Sequence, residues 1–275
     1  MKSLTRLALR TLNRVARPYL QSYGLLRVKK IFNKSALQWH PSNETVLVLA
    51  PHMDDEVIGC GGTLALHLAA GARVGVVFLT DGQRGGTAEG ASDPASAPAP
   101  APADIVATRK QEAQRALQEL GITNVQYLGG EDGNLAAATD TLAASLRAAL
   151  ESAAPDIVYL PFFLEEHPDH RAASALLAAA VRGAGLAFRC HAYEVWTPLF
   201  PNCLVDIDAT IDAKRRALAH YQSQLAEADY LHTSLGLNAY RSSILHEGSC
   251  RYAEAFCAVS LEEYLDLFRS YGASK

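Results

Sequence analysis

No run of the roughly 18 to 20 apolar residues that a membrane-spanning helix requires occurs in this sequence of 275 residues, which excludes that class of integral membrane protein. Cysteine is scarce and scattered: Cys60, Cys190, Cys203, Cys250 and Cys257 make an odd total of five, with no CxxC spacing. This argues against a disulfide framework and against a thiolate zinc site, and it suits a reducing compartment. A dinucleotide-binding loop is also missing. Gly59-Cys-Gly-Gly-Thr63 is not GxGxxG, and the acids just ahead of it would repel a pyrophosphate. Finally, residues 1–43 contain no acidic side chain, although they hold nine basic ones.

Subtracting those nine charges from the net −4 leaves −13 on residues 44–275. The body is acidic and the N-terminal extension basic, so the two are read separately. An acidic body opposes a polyanion, and nucleic acid is not an expected partner. In the extension, Leu4, Leu7, Ala8, Leu12, Val15 and Tyr19 recur at helical spacing with Arg6, Arg10, Arg14 and Arg17 on other faces, up to Pro18. Three readings stay open for this amphipathic cationic pattern: packing on the body, peripheral contact of residues 1–34 with an anionic membrane, or an organelle presequence.

From Glu44 the pattern alternates. Strands are expected at Thr45–Ala50, Val74–Leu79, Val125–Leu128, Ile157–Leu160, Cys190–Val195 and Cys203–Ile207. Helices are expected at Gly61–Ala70, about Ile105–Leu120, Leu142–Ser152 and Arg171–Arg182. This alternation implies an α/β fold with a mostly parallel, doubly wound sheet, whose sites lie outside the carboxyl ends of the strands. The Ala/Pro-rich run at 91–104 cannot form a core and reads as an exposed, semi-extended loop, either inert or a lid.

Chemistry concentrates at two strand ends. His52, Asp54, Asp55 and Glu56 follow the first strand, and four ionisable groups there are costly to bury unless paired or bound to a cation. His52 and Asp55, three apart, can converge on one point as imidazole and carboxylate ligands of zinc, with Asp54 directed towards a water. One more protein ligand is needed, and His167-Pro-Asp-His170 after the fourth strand supplies it. The acids can also cap the helices that follow.

Together these motifs resemble the signature of the PIG-L/LmbE-like family of zinc N-deacetylases. The similarity runs over about residues 44–260: Thr80-Asp81-Gly82, Arg109-Lys-Gln-Glu112, Asp132-Gly133, Lys214 to Gln224 and Tyr252-Ala-Glu-Ala-Phe256 also match, with Met53 where the family usually has Pro. The resemblance implies a Rossmann-like catalytic domain (44–275) that hydrolyses the acetamide of an N-acetylglucosamine-like sugar in a glycoconjugate. It implies His52, Asp55 and His170 as ligands of Zn2+ (Fe2+ being another ion such ligands accept), Asp54 as general base and His167 as oxyanion stabiliser. A charged His167 held by Asp169 would serve that last purpose.

Arg84 and Asp132 are secondary candidates for sugar or phosphate contacts, against solvated and turn-forming alternatives. His67, His191, His220, His232 and His246 lack partners at ligand spacing and read as structural. Rival functions are an amidase acting on a thiol conjugate and a metal-bearing sugar-binding protein without catalysis. The expected location is cytoplasmic, at the inner face of a membrane if the substrate is a glycolipid.

Overall fold

The alternation of buried strands and amphipathic helices folds into one sheet with a helical layer on each side. The computed structural model describes residues 37–84, 102–245 and 250–272. The helical pattern of 1–34 and the Ala/Pro run up to residue 101 lie outside the described residues, as does His246. No helix among the described residues is long and apolar enough to cross a membrane.

In chain order, β1 is Leu37–Gln38, β2 Thr45–Ala50 and β3 Arg73–Thr80, with helix α1 (Asp55–Ala69) between the last two. Helix α2 (Pro102–Leu120) leads to β4 (Asn124–Gly130), and α3 (Thr139–Ala153) to β5 (Ile157–Pro161). Helix α4 (Pro168–Ala180) precedes β6 (Arg189–Tyr193) and β7 (Cys203–Asp206). Helices α5 (Ile211–Leu218), α6 (Gln222–Leu225) and α7 (Tyr230–Ser242) then lead to β8 (Ala253–Ser260) and α8 (Leu261–Leu267).

The strand order is β1-β7-β8-β6-β5-β2-β3-β4. All pairings are parallel except those of β8, which runs antiparallel between β6 and β7. Side chains alternate across β2: Val46, Val48 and Ala50 join the core beneath α1 and α2, while Leu47 and Leu49 join the core beneath α3, α4 and α8. Each fully buried Val or Leu stabilises the sheet by roughly 1.5–3 kcal/mol.

Two boundaries differ from expectation. Leu37 and Gln38 pair with Cys203 and Leu204, and the Trp39 ring lies 4.9 Å from that of His191, so the end of the basic extension belongs to the sheet. A two-residue strand has no period for the sequence to display. Helix α1 begins six residues before the expected Gly61, because the acidic motif is itself its first turn. Acids are favoured there by the helix dipole. The glycines that disguise the helix permit close packing: a Cβ on Gly59 would meet the Tyr193 ring at 2.3 Å, and one on Gly62 would meet Ile207 at 2.9 Å.

Strands β2 and β5 are neighbours at the point where the winding reverses, with β3 and β4 added on one side and β6 on the other. The chain segments leaving β2 and β5 therefore open onto the same crevice, where a doubly wound sheet places its ligand.

Candidate metal centre and catalytic cavity

The loop after β2 is pinned before it carries any chemistry. The Pro51 carbonyl accepts from the Thr80 amide (3.1 Å) and hydroxyl (2.7 Å). Asp54 then caps α1 with φ 148° and ψ −29°, a conformation that costs a non-glycine residue about 1–3 kcal/mol. Surrounding bonds enforce it. Its amide donates to Glu56 Oε2 at 3.1 Å, the Tyr221 hydroxyl donates to the other oxygen of Glu56, and Arg109 donates to the Met53 carbonyl at 3.2 Å.

Asp55 sits between two imidazoles. Its Oδ2 is 3.3 Å from His52 Nδ1 and 3.2 Å from His170 Nε2. Ligands about 2.0–2.2 Å from a tetrahedral ion are separated by about 3.3–3.6 Å, so both spacings approach those around zinc. His52, His167 and His170 each bring a ring nitrogen within 4.8 Å of the others. His170 is fully buried, and neither of its nitrogens is in hydrogen-bonding geometry, although Nδ1 lies 3.7 Å from Glu165 Oε2. A buried imidazole left unsatisfied is costly, and a coordinated cation would account for one of its nitrogens. The residues present therefore fit a metal ion.

Asp169 is brought to the site, but not onto His167. Its Oδ2 contacts His52 Nε2 at 3.1 Å and accepts from the Gly133 amide at 2.6 Å, while Oδ1 accepts from the Leu135 amide at 3.0 Å. The carboxylate thus clamps His52 to the turn after β4. His167 caps α4 instead, its Nδ1 accepting from the Asp169 amide at 3.2 Å. Burial, then the neighbouring His52 and His170 rings, push the His167 pKa down to about 4, and an accepting Nδ1 is that of a neutral ring, where a cationic His167 was expected. With Nδ1 as acceptor, the ring proton resides on Nε2.

Asp132 is also drawn under His52, contacting Nε2 at 3.2 Å while its other oxygen accepts from the Arg84 amide at 3.0 Å. It supports an imidazole while still lining the cavity where a contact with sugar hydroxyls was expected. Burial works against ionisation, but His52 prevails and the Asp132 pKa falls to about 2. Arg84 lies at the rim with its guanidinium 3.9 Å from Glu131. Gly133 is favoured here because its φ of 78° is a left-handed conformation that other residues rarely adopt.

The paired acids diverge. Burial and the adjacent Asp55 charge raise the Asp54 pKa, whereas Asp55 is held far below the usual carboxylate range because His170 and His52 outweigh its burial. Burial alone would lower the His170 pKa, yet Asp55 raises it to about 8. Burial raises Glu56 to about 8.

Arg109 was not anticipated at the site, and Glu165, like Glu166, was expected only to place negative charge near a metal. Arg109, 3% exposed, donates to the Gly82 carbonyl at 3.1 Å and lies 3.9 Å from Asp54 and 3.7 Å from Asp132. Its spacing with Glu112 was the available signal, since Glu112 turns away to bind Ser223. Glu165 is buried beside His170 and accepts from the amides of Val195, Trp196 and Thr197 at 2.6, 3.1 and 3.1 Å. Nothing in its local sequence separates it from the solvated Glu166.

His52, Asp54, Asp55, Arg84, Arg109, Asp132 and His167 face a cavity of about 170 Å³, completed by Ile58, Trp196 and Tyr230 among others. Fold and site together define an α/β protein with a His/Asp cluster that fits a metal ion at the carboxyl ends of its central strands. The model of the PIG-L family, described as GlcNAc-PI de-N-acetylase, matches residues 47–181. A probable N-acetyl-alpha-D-glucosaminyl L-malate deacetylase of Bacillus cereus is 32% identical over 189 residues, covering 65% of this chain and 83% of the relative. A diacetylchitobiose deacetylase of Thermococcus kodakarensis is 29% identical over 198 residues, covering 66% of this chain and 70% of the relative. Other curated relatives are matched over 52–60% of their length. The crystal structure of a conserved protein from Thermus thermophilus superposes with a TM-score of 0.61 at 33% identity, covering 78% of this chain and 93% of that one. The chain belongs to the PIG-L family of metal-dependent deacetylases.

Proposed function

We propose that the protein is a zinc-dependent hydrolase that removes the N-acetyl group from an N-acetylglucosamine-like sugar, releasing acetate and a free amine. The observation that carries this reading is the convergence of Asp55 on His52 and His170, with Asp54 and His167 facing the same cavity. The sugar is supported by the relatives, named as deacetylases of chitobiose and glucosaminyl malate.

In this reading His52, Asp55 and His170 hold the ion, with Fe2+ as the other candidate metal. A divalent ion held there would lower the pKa of a nearby water towards about 7 and polarise an amide carbonyl. Asp54 is placed to take a proton from the attacking water and return it to the departing amine, a task suited to a carboxylate whose pKa is raised by burial. His167 donates from Nε2 to the carbonyl oxygen as its negative charge grows. Asp132 and Asp169 hold His52 in place, Glu165 faces His170, and Arg109 keeps a positive charge beneath Asp54. The basic segment 1–34, an amphipathic cationic pattern in the sequence, favours a substrate met at the cytoplasmic face of a membrane.

Acetate release by the metal-loaded protein, with and without Asp54→Ala, tests the reading. A loss of about 10²–10⁴-fold is expected for removal of a general base. Full turnover by Asp54→Ala carrying its normal metal content would sink the assignment.

A further inference from the structure

Asp54 stands in a backbone conformation that its neighbours have to impose. Its φ of 148° lies far outside the small left-handed basin, near +60°, that non-glycine residues enter. Ala154, the other non-glycine residue at positive φ among the described residues, sits close to that basin at φ 42° and ends α3. An outlier like that of Asp54 persists only where the surroundings over-determine it, and such strain collects at functional sites.

What imposes it is a grip on the peptide group between Met53 and Asp54. Arg109 donates to its carbonyl at 3.2 Å, and its N–H donates to Glu56 Oε2 at 3.1 Å. On the far side of the Asp54 Cα, the Asp54 carbonyl accepts from the amides of Val57 and Ile58 at 3.0 and 2.9 Å. With the peptide planes on both sides held, the direction of the Asp54 side chain is set. Glu56 is itself a flexible side chain, and its other oxygen accepts from the buried Tyr221 hydroxyl. Tyr221 stands in the turn between α5 and α6, and that turn is tied to α2. Ser223 donates from its amide and its hydroxyl to the two oxygens of Glu112, at 2.9 and 2.6 Å. Arg109 and Glu112 are three positions apart on α2, so one helix anchors both ends of the grip. Glu56, Tyr221 and Glu112 are not among the side chains that line the catalytic cavity.

We propose that Tyr221 is a positioning residue for deacetylation: through Glu56 it holds the peptide between Met53 and Asp54, and so fixes where the Asp54 carboxylate meets the attacking water. The proposal rests on the reading of Asp54 as general base, and adds a residue away from the substrate on which that base depends. A misplacement of about 1 Å costs about 10²-fold in rate, so a hydroxyl that never touches substrate can still govern turnover. A Tyr221 that only stabilised the fold would do so equally whatever side chain stood at 54.

Tyr221→Phe removes one hydroxyl and keeps the ring in the core. In the metal-loaded full chain acting on the methyl glycoside of N-acetylglucosamine, acetate release shows kcat lower by about ten- to a hundredfold, with KM within about twofold of wild type. In the Asp54→Ala background the same substitution leaves the residual rate unchanged, because the group it positions is gone. Urea unfolding gives a readout independent of turnover. Glycine accepts positive φ far more readily than alanine, so Asp54→Gly unfolds at higher urea than Asp54→Ala. Tyr221→Phe closes that gap by letting residue 54 relax. Ser223→Ala, which loosens the turn and spares Tyr221, gives the same kcat and KM split in smaller measure, and takes the place of Tyr221→Phe if that variant does not fold. A folded, metal-loaded Tyr221→Phe protein with wild-type kcat overturns the proposal. An equal fractional loss in the Asp54→Ala background also overturns it, as does a gap between glycine and alanine that Tyr221→Phe leaves intact. If the wild-type chain releases no acetate the deacetylase reading fails, and the urea comparison alone then decides the grip of Tyr221 on residue 54.

Discussion

Arg109→Met removes the buried cation beneath the proposed base, and its effect follows from two distances. The guanidinium lies 3.9 Å from Asp54 and 3.7 Å from Asp132, with Arg109 3% exposed. At an effective dielectric of about 20, charges separated by 3.9 Å interact by about 4 kcal/mol. At about 1.36 kcal/mol per pH unit, that corresponds to about three units as an upper bound. The sign is definite: a cation favours the carboxylate, so removing it raises the Asp54 pKa. A base must be unprotonated to act, so the acid limb of kcat/KM moves to higher pH, by about one to three units. Acetate release measured from pH 5 to 9 reads the shift, while circular dichroism and metal content establish that the variant is folded and loaded. Arg109→Lys separates charge from architecture. It keeps the limb near its wild-type position, yet loses stability by about 1–3 kcal/mol because one ammonium cannot satisfy both the Gly82 and Met53 carbonyls. A folded, metal-loaded Arg109→Met protein with an unmoved acid limb would refute the reasoning.

Lys214 and Glu254 form a fully buried pair at 2.7 Å, with Lys214 also on the Ile58 carbonyl and Glu254 on the amides of Gly62 and Thr63. Lys214→Met strands a buried carboxylate and costs about 3–5 kcal/mol in urea unfolding, most of it restored by Glu254→Gln in the same chain; a cost below about 1 kcal/mol contradicts this. His191 is buried and neither ring nitrogen has a hydrogen-bond partner among the described residues; burial, then Arg189, lowers its pKa to about 3. The unfolded chain protonates this histidine below about pH 6.5 and the native chain only near 3, so the group makes stability decline as pH falls between those values. His191→Phe abolishes that share of the decline, worth about 2 kcal/mol at pH 5, and equal urea-midpoint losses from pH 7 to 5 in variant and wild type would disprove it.

The sequence shows the parallel part of this fold well, because Thr45–Ala50, Ile157–Pro161 and their neighbours are continuous buried runs with turn signals on either side. It shows both halves of the metal motif because each is local: His52 and Asp55 lie three positions apart, as do His167 and His170. What it conceals are contacts made across the fold. Asp169 reaches His52 across 117 positions, and Arg109 reaches Met53 across 56, with no spacing rule linking either pair. Strand β8 was hidden for a related reason. Its insertion between β6 and β7 depends on the connection through α5, α6 and α7, and local periodicity says nothing about which edge a strand will join. The start of α1 was obscured by glycines that sequence rules treat as breakers, whereas here they admit Tyr193 and Ile207.

Glu165 grips the segment after β6 by three peptide N–H groups and by no side chain of Val195 or Trp196. Such a grip is indifferent to which residues occupy those two positions. The same carboxylate faces His170, so the wall of the cavity and the metal centre share one fixed reference point. Substitutions at 195 and 196 can therefore reshape what the cavity admits while the segment stays in register with His170.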